Sequence, residues 1–335
     1  MKSSLTRFLF ILVIATGSPA FARDIDWPVP LAEIPIRILD NRIVINARIA
    51  DYQLELVLDT GASSSALFQS TKQDFADLVT ERRAEIVFPA LDETVSGSRL
   101  KTMPIYLGDH TYLPDRLLRI ERRPPIGDRL NFRFDGVLGQ DFFEQYVVEI
   151  EPKTNMLRLY TSGEKLKKKF KTILKLHMRG TAPHIRFRSK LPWEQTAVTK
   201  ELLLDTGYPG AIAIWERSHF NQAARGENKK KLRAENKGIF TWANFKIGRM
   251  RFTRTPIFLA PKEPKQVQER DGLIGANILA QFHHVIDFKS ERLMLQGTSF
   301  GYKRIDGYLY TLNNEAFLVK RFTESAGAVS KFILE

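Results

Sequence analysis

The residues best suited to chemistry are two aspartates that stand in the same short motif, far apart along the chain. Residues 59–61 and 205–207 both read Asp-Thr-Gly, and each follows an apolar run. Two carboxyl groups within hydrogen-bond reach cannot both ionise cheaply, so such a pair holds one proton. The ionised member can take a proton from water while the protonated member donates a hydrogen bond to a carbonyl oxygen. If the fold brings Asp59 and Asp205 together, these residue types predict hydrolysis without a metal, a cofactor or a covalent intermediate.

The residues beside each aspartate suit this chemistry. Gly61 and Gly207 lack a side chain, so their backbone can approach a carboxylate closely and donate an N–H group. The hydroxyls of Thr60 and Thr206 can tie the two loops together. A single Asp-Thr-Gly is more often a turn in which the aspartate accepts backbone N–H groups. The motif therefore has weight only because it occurs twice.

A second motif follows each aspartate and is also repeated. Residues 135–146 read Asp-Gly-apolar-apolar-Gly and then a short amphipathic stretch ending in Gln-Tyr; residues 271–282 repeat this pattern and end in Gln-Phe. The same order of motifs twice in one chain indicates an internal duplication. Asp135 and Asp271 open these segments, and because Asp-Gly is typical of turns, we expect them to be structural.

The pattern of apolar and β-branched residues predicts an all-β fold of two lobes with a few short helices. Predicted hairpins pair 42–49 with 54–58, 147–150 with 156–160, and 285–288 with 293–295. Predicted helices cover 140–145, 276–281, 69–78 and 216–224. The predicted boundaries are an N-terminal lobe at 23–163, a lysine-rich linker at 164–171, a C-terminal lobe at 172–300 and a tail at 301–335.

Taken together, the chain resembles the aspartic proteases of the pepsin and retropepsin superfamily, in the form of a bacterial tandem-repeat, single-chain protease. The resemblance rests on residues 59–63 and 205–207 and on the partner strands 137–139 and 273–275. It implies a bilobal fold in which the two loops meet at a pseudo-twofold axis. It also implies that Asp59 and Asp205 activate one water, and that a peptide or protein substrate lies extended in the cleft. Because both halves are present in one chain, we expect a monomer.

The second loop departs from the family pattern. In the first loop, the resemblance implies that the hydroxyl of Ser63 binds the outer oxygen of its aspartate. The second loop has Pro209 at that place, which offers neither a hydroxyl nor an N–H, and Tyr208 where a small residue is usual. We therefore expect Asp59 to be the better oriented partner, with both aspartates required. The departure also favours an alternative, a peptide-binding or scaffolding protein that keeps the fold with weak or no turnover.

The family covers its cleft with a hairpin flap, for which the sequence offers two candidates. One is 85–108, with residues 96–98 at its tip, and the other is 235–250, around residues 237–238.

The tail, 301–335, has a faint resemblance to the opening strands of a PDZ domain. Its 35 residues are too few for that domain. The tail is therefore either a truncated PDZ-like segment or, as we favour, an extra strand and an arm.

The N-terminus has the three parts of a secretory signal peptide. Residues 1–7 are basic, residues 8–15 are apolar, and residues 20–22 read Ala-Phe-Ala. The apolar stretch is shorter than the roughly 20 residues of a spanning helix. We therefore expect residues 1–22 to be a signal peptide cleaved after Ala22, and the protein to be periplasmic or secreted.

The composition narrows the remaining choices. The 335 residues include no cysteine, which excludes disulfides, thiolate zinc sites and cysteine nucleophiles. Lysines and arginines number 51 against 38 acidic residues, and part of this excess lies in runs at 165–171 and 229–231. Such runs are usually solvated surfaces, and loose contact with an anionic envelope is the alternative. No nucleic-acid partner is expected, since no basic stripe carries interleaved aromatics.

Overall fold

Strands dominate this protein, whose structure is a computed structural model. It describes residues 28–39, 41–69, 75–88, 93–120, 134–191, 194–214, 239–259, 271–297, 299–305, 308–311 and 316–317. Strands make up most of the described residues and helices are few among them, which confirms the predicted all-β, bilobal class. The predicted signal peptide, the predicted helix at 216–224 and the lysines at 229–231 lie outside the described residues.

Strands of the first half run from Ala32 to Tyr160. They are β1 (Ala32–Leu39), β2 (Arg42–Ile49), β3 (Tyr52–Leu58), β4 (Ser65–Phe68), β5 (Val79–Phe88), β6 (Glu93–Leu100), β7 (Ile105–Leu107), β8 (His110–Tyr112), β9 (Leu117–Ile120), β10 (Gly136–Leu138), β11 (Val147–Glu151) and β12 (Met156–Tyr160). Helix α1 (Gln140–Gln145) has the predicted boundaries.

The second half is built in the same way. Its strands are β13 (Thr172–Arg179), β14 (Ala182–Ser189), β15 (Val198–Asp205), β16 (Ile212–Ile214), β17 (Ile239–Ile247), β18 (Met250–Leu259), β19 (Gly272–Gly275), β20 (His284–Asp287), β21 (Arg292–Leu295), β22 (Ser299–Ile305), β23 (Tyr308–Thr311) and β24 (Ala316–Phe317). Helix α2 (Ala276–Leu279) is two residues shorter than predicted.

The strand order places each Asp-Thr-Gly loop beside the second motif of its own half. Strand β10 runs parallel to β3 and antiparallel to β4, so it lies between the strands that enter and leave the first loop. Strand β19 lies in the same way between β15 and β16. The apolar side chains of these short central strands are buried, as expected where a strand has neighbours on both sides.

Asp135 and Asp271 have the structural role that their sequence context predicts. Asp135 accepts a hydrogen bond from the N–H of Glu55 at 2.8 Å, and Asp271 accepts one from the N–H of Glu201 at 2.6 Å. Each carboxylate therefore fastens the start of the second motif to the strand that leads into the site.

The two halves are joined by one antiparallel sheet with the order β1, β12, β11, β20, β21, β13. At its centre, Val148 pairs with Ile286, Glu149 with Val285, and Ile150 with His284. The lobes are thus connected by backbone hydrogen bonds between strands.

The lysine-rich linker packs against this sheet. Residues 165–169 form a 3₁₀ helix whose Leu166 is buried, and the Nζ atom of Lys169 lies 2.7 Å from the carboxylate of Glu149. Glu149 is itself buried, which would raise its pKa, but hydrogen bonds from His283, Lys169 and Tyr160 outweigh this and lower the pKa to about 2. Lys169 of the run therefore has a structural partner.

The adjacent histidines have separate environments. His283 contacts Glu149 through Nε2 at 2.6 Å, whereas His284 is buried beside the carbonyl of Phe282, and burial lowers the pKa of His284 to about 4. Neighbouring strand residues point to opposite faces, which explains why the two rings do not share a site.

Two local predictions are wrong. Of the predicted helix at 69–78, residues 70–74 lie outside the described residues; Ala76–Leu78 form a 3₁₀ helix that follows Phe75 in a left-handed conformation and ends where β5 begins at Val79. The predicted flap tip at 96–98 lies inside β6, where Gly97 pairs with Ala84 and Ile120. The segment that joins β5 to β6, residues 89–92, lies outside the described residues.

The other two segments add strands to the second lobe. Residues 239–247 of the second flap candidate form β17, which pairs with β18, while 237–238 lie outside the described residues. The tail begins within β22, which runs parallel to β18. It also contains β23, which pairs with β22, and β24, which pairs with β23. Within the described part of the chain, no helix has the length and apolar character needed to cross a bilayer.

Candidate active site

The fold brings the two predicted aspartates together. Asp59 directly follows β3 and Asp205 is the last residue of β15. Each carboxyl group lies against the glycine of the opposite loop: a Cβ atom on Gly207 would be 2.3–2.5 Å from the carboxyl atoms of Asp59, and one on Gly61 would be 2.7–2.9 Å from those of Asp205. Only glycine fits at either position.

Both carboxyl groups are oriented by backbone donors of their own loop. In each aspartate, Oδ1 accepts hydrogen bonds from the N–H groups two and three residues further on. The donors are Gly61 (2.8 Å), Ala62 (3.1 Å), Gly207 (3.0 Å) and Tyr208 (3.0 Å). The orientation of Asp205 therefore survives the change to Tyr208 and Pro209 in its loop.

The two threonines tie the loops to each other by reciprocal hydrogen bonds. The Thr60 hydroxyl donates to the carbonyl of Leu204 at 2.6 Å and accepts the N–H of Thr206 at 3.1 Å. The Thr206 hydroxyl donates to the carbonyl of Leu58 at 2.7 Å and accepts the N–H of Thr60 at 2.9 Å. Both threonines are fully buried, so water cannot replace these bonds. The two hydroxyls therefore tie the loops together, as predicted from the sequence.

Ser63 does not take the position expected from the resemblance. Its side chain is exposed, and within the described residues no hydrogen bond joins it to Asp59. The contrast between Ser63 and Pro209 therefore does not separate the two aspartates in this structure.

A buried network behind the first loop was missed by the sequence analysis. Asp141, in the first turn of α1, accepts hydrogen bonds from the N–H and the hydroxyl of Ser65, both at 2.8 Å, and the hydroxyl of Tyr112 lies 3.5 Å from that of Ser65. The Ser65 hydroxyl in turn accepts the N–H of Gly139 at 3.1 Å. Burial raises the pKa of Asp141. Its sequence signal was weak, because Asp141 is aligned with Asn277 in the repeated motif and so looked replaceable.

Contacts between the lobes at the site come from hairpin tips. Gln140 donates from Nε2 to the carbonyl of Thr60 at 2.8 Å and accepts the hydroxyl of Thr181, which lies in the turn between β13 and β14. In the opposite direction, Asn41 donates from Nδ2 to the carbonyl of Pro209 at 3.0 Å. Each loop is thus held by the other lobe as well as its own.

The ring of Tyr208 is accommodated by a glycine two residues later. A Cβ atom on Gly210 would lie 2.5 Å from the tyrosine ring, and one on Gly275 would lie equally close. The ring packs next to the small cluster of Leu203, Ala213 and Leu273. The first loop has Ala62 and Ser64 at the positions of Tyr208 and Gly210, so the large residue of the second loop is matched by a smaller neighbour.

This packing predicts a coupling that can be measured. Gly210→Ser is expected to lower the free energy of unfolding by about 1–3 kcal/mol, because the added Cβ overlaps the Tyr208 ring. In the double variant Tyr208→Ala/Gly210→Ser, which copies the first loop, the serine should cost less than it does beside the tyrosine. Urea unfolding of both single variants and the double variant measures the interaction. Strict additivity of the two changes would contradict the packing argument.

The surroundings of the two aspartates make them unequal. Burial raises the pKa of Asp59, while its two backbone N–H bonds and the positive charge of Arg42 act in the opposite direction. Burial likewise raises the pKa of Asp205, and the charge of Asp59 raises it further. Asp205 is buried, whereas Asp59 keeps part of its surface exposed. Asp59 therefore ionises first, and Asp205 keeps the proton that the pair shares.

Comparison with known proteins supports the fold. No protein-family model matches the chain, and no curated protein matches its sequence. Among solved structures, the chain is similar to that described as "Crystal structure of aspartic proteinase from Irpex lacteus", with a TM-score of 0.52 and 16% identity over 80% of this chain and 97% of that one. At this identity the likeness shows a pepsin-like fold.

Proposed function

We propose that the chain is an aspartic endopeptidase that hydrolyses peptide bonds with a water activated by Asp59 and Asp205. One observation carries the proposal: two Asp-Thr-Gly loops are tied together by their buried threonines, and each holds its carboxyl group against the glycine of the other loop. The pepsin-like fold supports a hydrolase of this class.

In the proposed reaction, the carboxylate of Asp59 takes a proton from the water whose oxygen attacks the scissile carbonyl carbon. Asp205 donates its proton in a hydrogen bond to the carbonyl oxygen, which gains negative charge as the tetrahedral intermediate forms. Asp59 then returns its proton to the leaving nitrogen as the C–N bond breaks, and Asp205 recovers its own proton as the carbonyl re-forms. Thr60 and Thr206 contribute by fixing the distance between the carboxyl groups.

The setting of the reaction is part of the proposal. The substrate is a peptide or protein in extended conformation, the active form is a monomer, and no cofactor takes part. The protein acts after export, in the periplasm or outside the cell, and its surplus of positive charge gives it loose contact with anionic envelope surfaces.

The test is cleavage of a peptide library over a pH series by the purified protein and by its Asp59→Ala variant. We expect the wild-type protein to cut peptides at acid to neutral pH and the variant to show no cutting above background. Cleavage that persists in the variant would refute the assignment of Asp59 as the base.

The second candidate is a protein of the same fold that binds peptides without cutting them. It is favoured by the Tyr208-Pro209 departure in the second loop and by Ser63, whose side chain does not engage the dyad. Wild-type protein that binds library peptides at every pH and cuts none would support this candidate over the protease.

A further inference from the structure

One charged residue beside the paired loops has no counterpart in the other half. Arg42 stands two residues before Val44, which pairs with Val57, and Val57 stands two residues before Asp59. In the second half, the residue two positions before Asp205 is Leu203, which pairs with His184. The residue two positions before His184 is Ala182, so Ala182 corresponds to Arg42. The positive charge at this position is therefore supplied by the first lobe, and an alanine takes its place in the second.

The side chain of Arg42 reaches across to the second loop. Its Nε atom donates to the carbonyl of Gly207 at 2.7 Å, and its guanidinium lies 6.0 Å from the ring centre of Phe134. Gly207 is the residue that lies against the Asp59 carboxyl group. The guanidinium is thus held near Asp59 by a single intervening residue of the opposite loop.

The charged and titratable groups around this point come from three elements. They are Arg42 at the start of β2, Asp59 after β3, and Asp205 with Tyr208 at the end of β15. The charge of Arg42 lowers the pKa of Asp59, the charge of Asp59 raises the pKa of Asp205, and burial and the charge of Asp205 raise the pKa of Tyr208. Arg42 is the positive group among them.

We propose that Arg42 is a positioning residue that decides which aspartate gives up its proton, keeping Asp59 as the carboxylate and leaving Asp205 as the protonated acid. The proposal rests on the proposed function, and it adds the charge of one side chain to the asymmetry that the greater exposure of Asp59 already provides. Without Arg42, both carboxyl groups keep the same pair of backbone N–H donors. The difference in proton affinity that fixes their separate tasks is then reduced.

The charge of Arg42 can be separated from its hydrogen bond by three variants. Arg42→Gln can keep a donor for the Gly207 carbonyl without the charge, Arg42→Lys keeps the charge, and Arg42→Ala keeps neither. We expect the acidic limb of the kcat/KM profile to move up by about one pH unit in Arg42→Gln and Arg42→Ala, and to stay near the wild-type position in Arg42→Lys. The control is Arg37→Gln, which removes an exposed charge on β1 and should leave the profile unchanged.

A second measurement does not depend on activity. The ¹³C signals of the aspartate carboxyl groups, assigned with Asp59→Asn and Asp205→Asn, report the lower ionisation step in the wild-type protein and in Arg42→Gln. We expect this step to belong to Asp59 and to move to higher pH in Arg42→Gln. An unchanged step, or a profile rescued by glutamine and not by lysine, overturns the proposal. Absence of cleavage by a wild-type protein whose Asp59 titration still responds to Arg42 would instead overturn the proposed function alone.

Discussion

Replacing Asp59 or Asp205 by asparagine is expected to lower kcat by about 10²- to 10⁴-fold, which is the contribution of a well-placed general acid or base. Asparagine has nearly the same shape and can still accept the two backbone N–H bonds of its loop, so the loops should remain in place. It cannot take a proton from water, nor deliver one as a carboxylic acid does. Because each aspartate has a separate step, neither variant should retain the wild-type rate.

Steady-state kinetics on a peptide found to be cut by the wild-type protein measure this effect. The matched control is Asp109→Asn, which changes an exposed aspartate in the turn between β7 and β8 and should leave kcat unchanged. An undiminished rate in Asp59→Asn or Asp205→Asn would show that this residue is not part of the catalytic pair.

The same Asp205→Asn variant should be more stable than the wild-type protein at neutral pH. The pKa of Asp205 is raised in the folded state, so between the ordinary carboxyl pKa and the raised one the folded state binds more protons than the unfolded state. The stability contributed by this group is therefore fully present below the ordinary value and is lost as pH rises through the raised value. Urea unfolding should show a gain for the variant at pH 7–8 that disappears near pH 3–4.

Replacing Thr60 or Thr206 by valine is expected to lower the free energy of unfolding by about 2–4 kcal/mol. Valine matches threonine in shape but removes a hydroxyl that makes two hydrogen bonds, leaving a buried carbonyl and a buried N–H without partners. The catalytic rate should fall as well, because the carboxyl groups lose the tie that fixes their separation. Urea unfolding and kcat/KM on the same samples measure both effects.

Serine at either position provides the matched control. It keeps the hydroxyl and loses one methyl group, whose burial is worth about 1 kcal/mol. Thr60→Ser and Thr206→Ser should therefore lie much closer to the wild-type protein than the valine variants. Equal losses for serine and valine would show that the methyl groups, rather than the reciprocal hydrogen bonds, stabilise the contact between the loops.

The hairpins and the helix at 140–145 could be predicted because their signals are local. Strands β2 and β3 alternate or run apolar up to a short turn, and α1 starts directly after Gly139, the residue that follows β10. Asp135 and Asp271 have the structural role that their Asp-Gly dipeptides predict. The flap tip failed for the opposite reason: Ser96 to Ser98 has turn-forming residues, but β9 and β5 on either side hold this stretch in a strand.

The network behind the first loop needed the fold. Ser65 and Asp141 are 76 residues apart, and no periodicity or motif connects their chemistry until β4 and α1 pack together. The packing of Tyr208 against Gly210 likewise could not be predicted from the sequence, because it depends on where the fold points the tyrosine ring. In sequence, Tyr208 is a departure from a pattern; in the structure, it is a packed side chain with a matching glycine.

The pair of aspartates, the residues that surround them and the all-β class could be predicted from the sequence alone. Catalytic chemistry restricts the types of residue at such a site, and the period of strands is a local pattern of neighbouring residues. The tertiary structure decided how the pair is made unequal. Arg42 and Gly207 are 165 positions apart, and only the packing of one lobe against the other places the guanidinium on the Gly207 carbonyl, where its charge lowers the pKa of Asp59. Electrostatic effects depend on distance in space, and distance in space is what a linear pattern does not record.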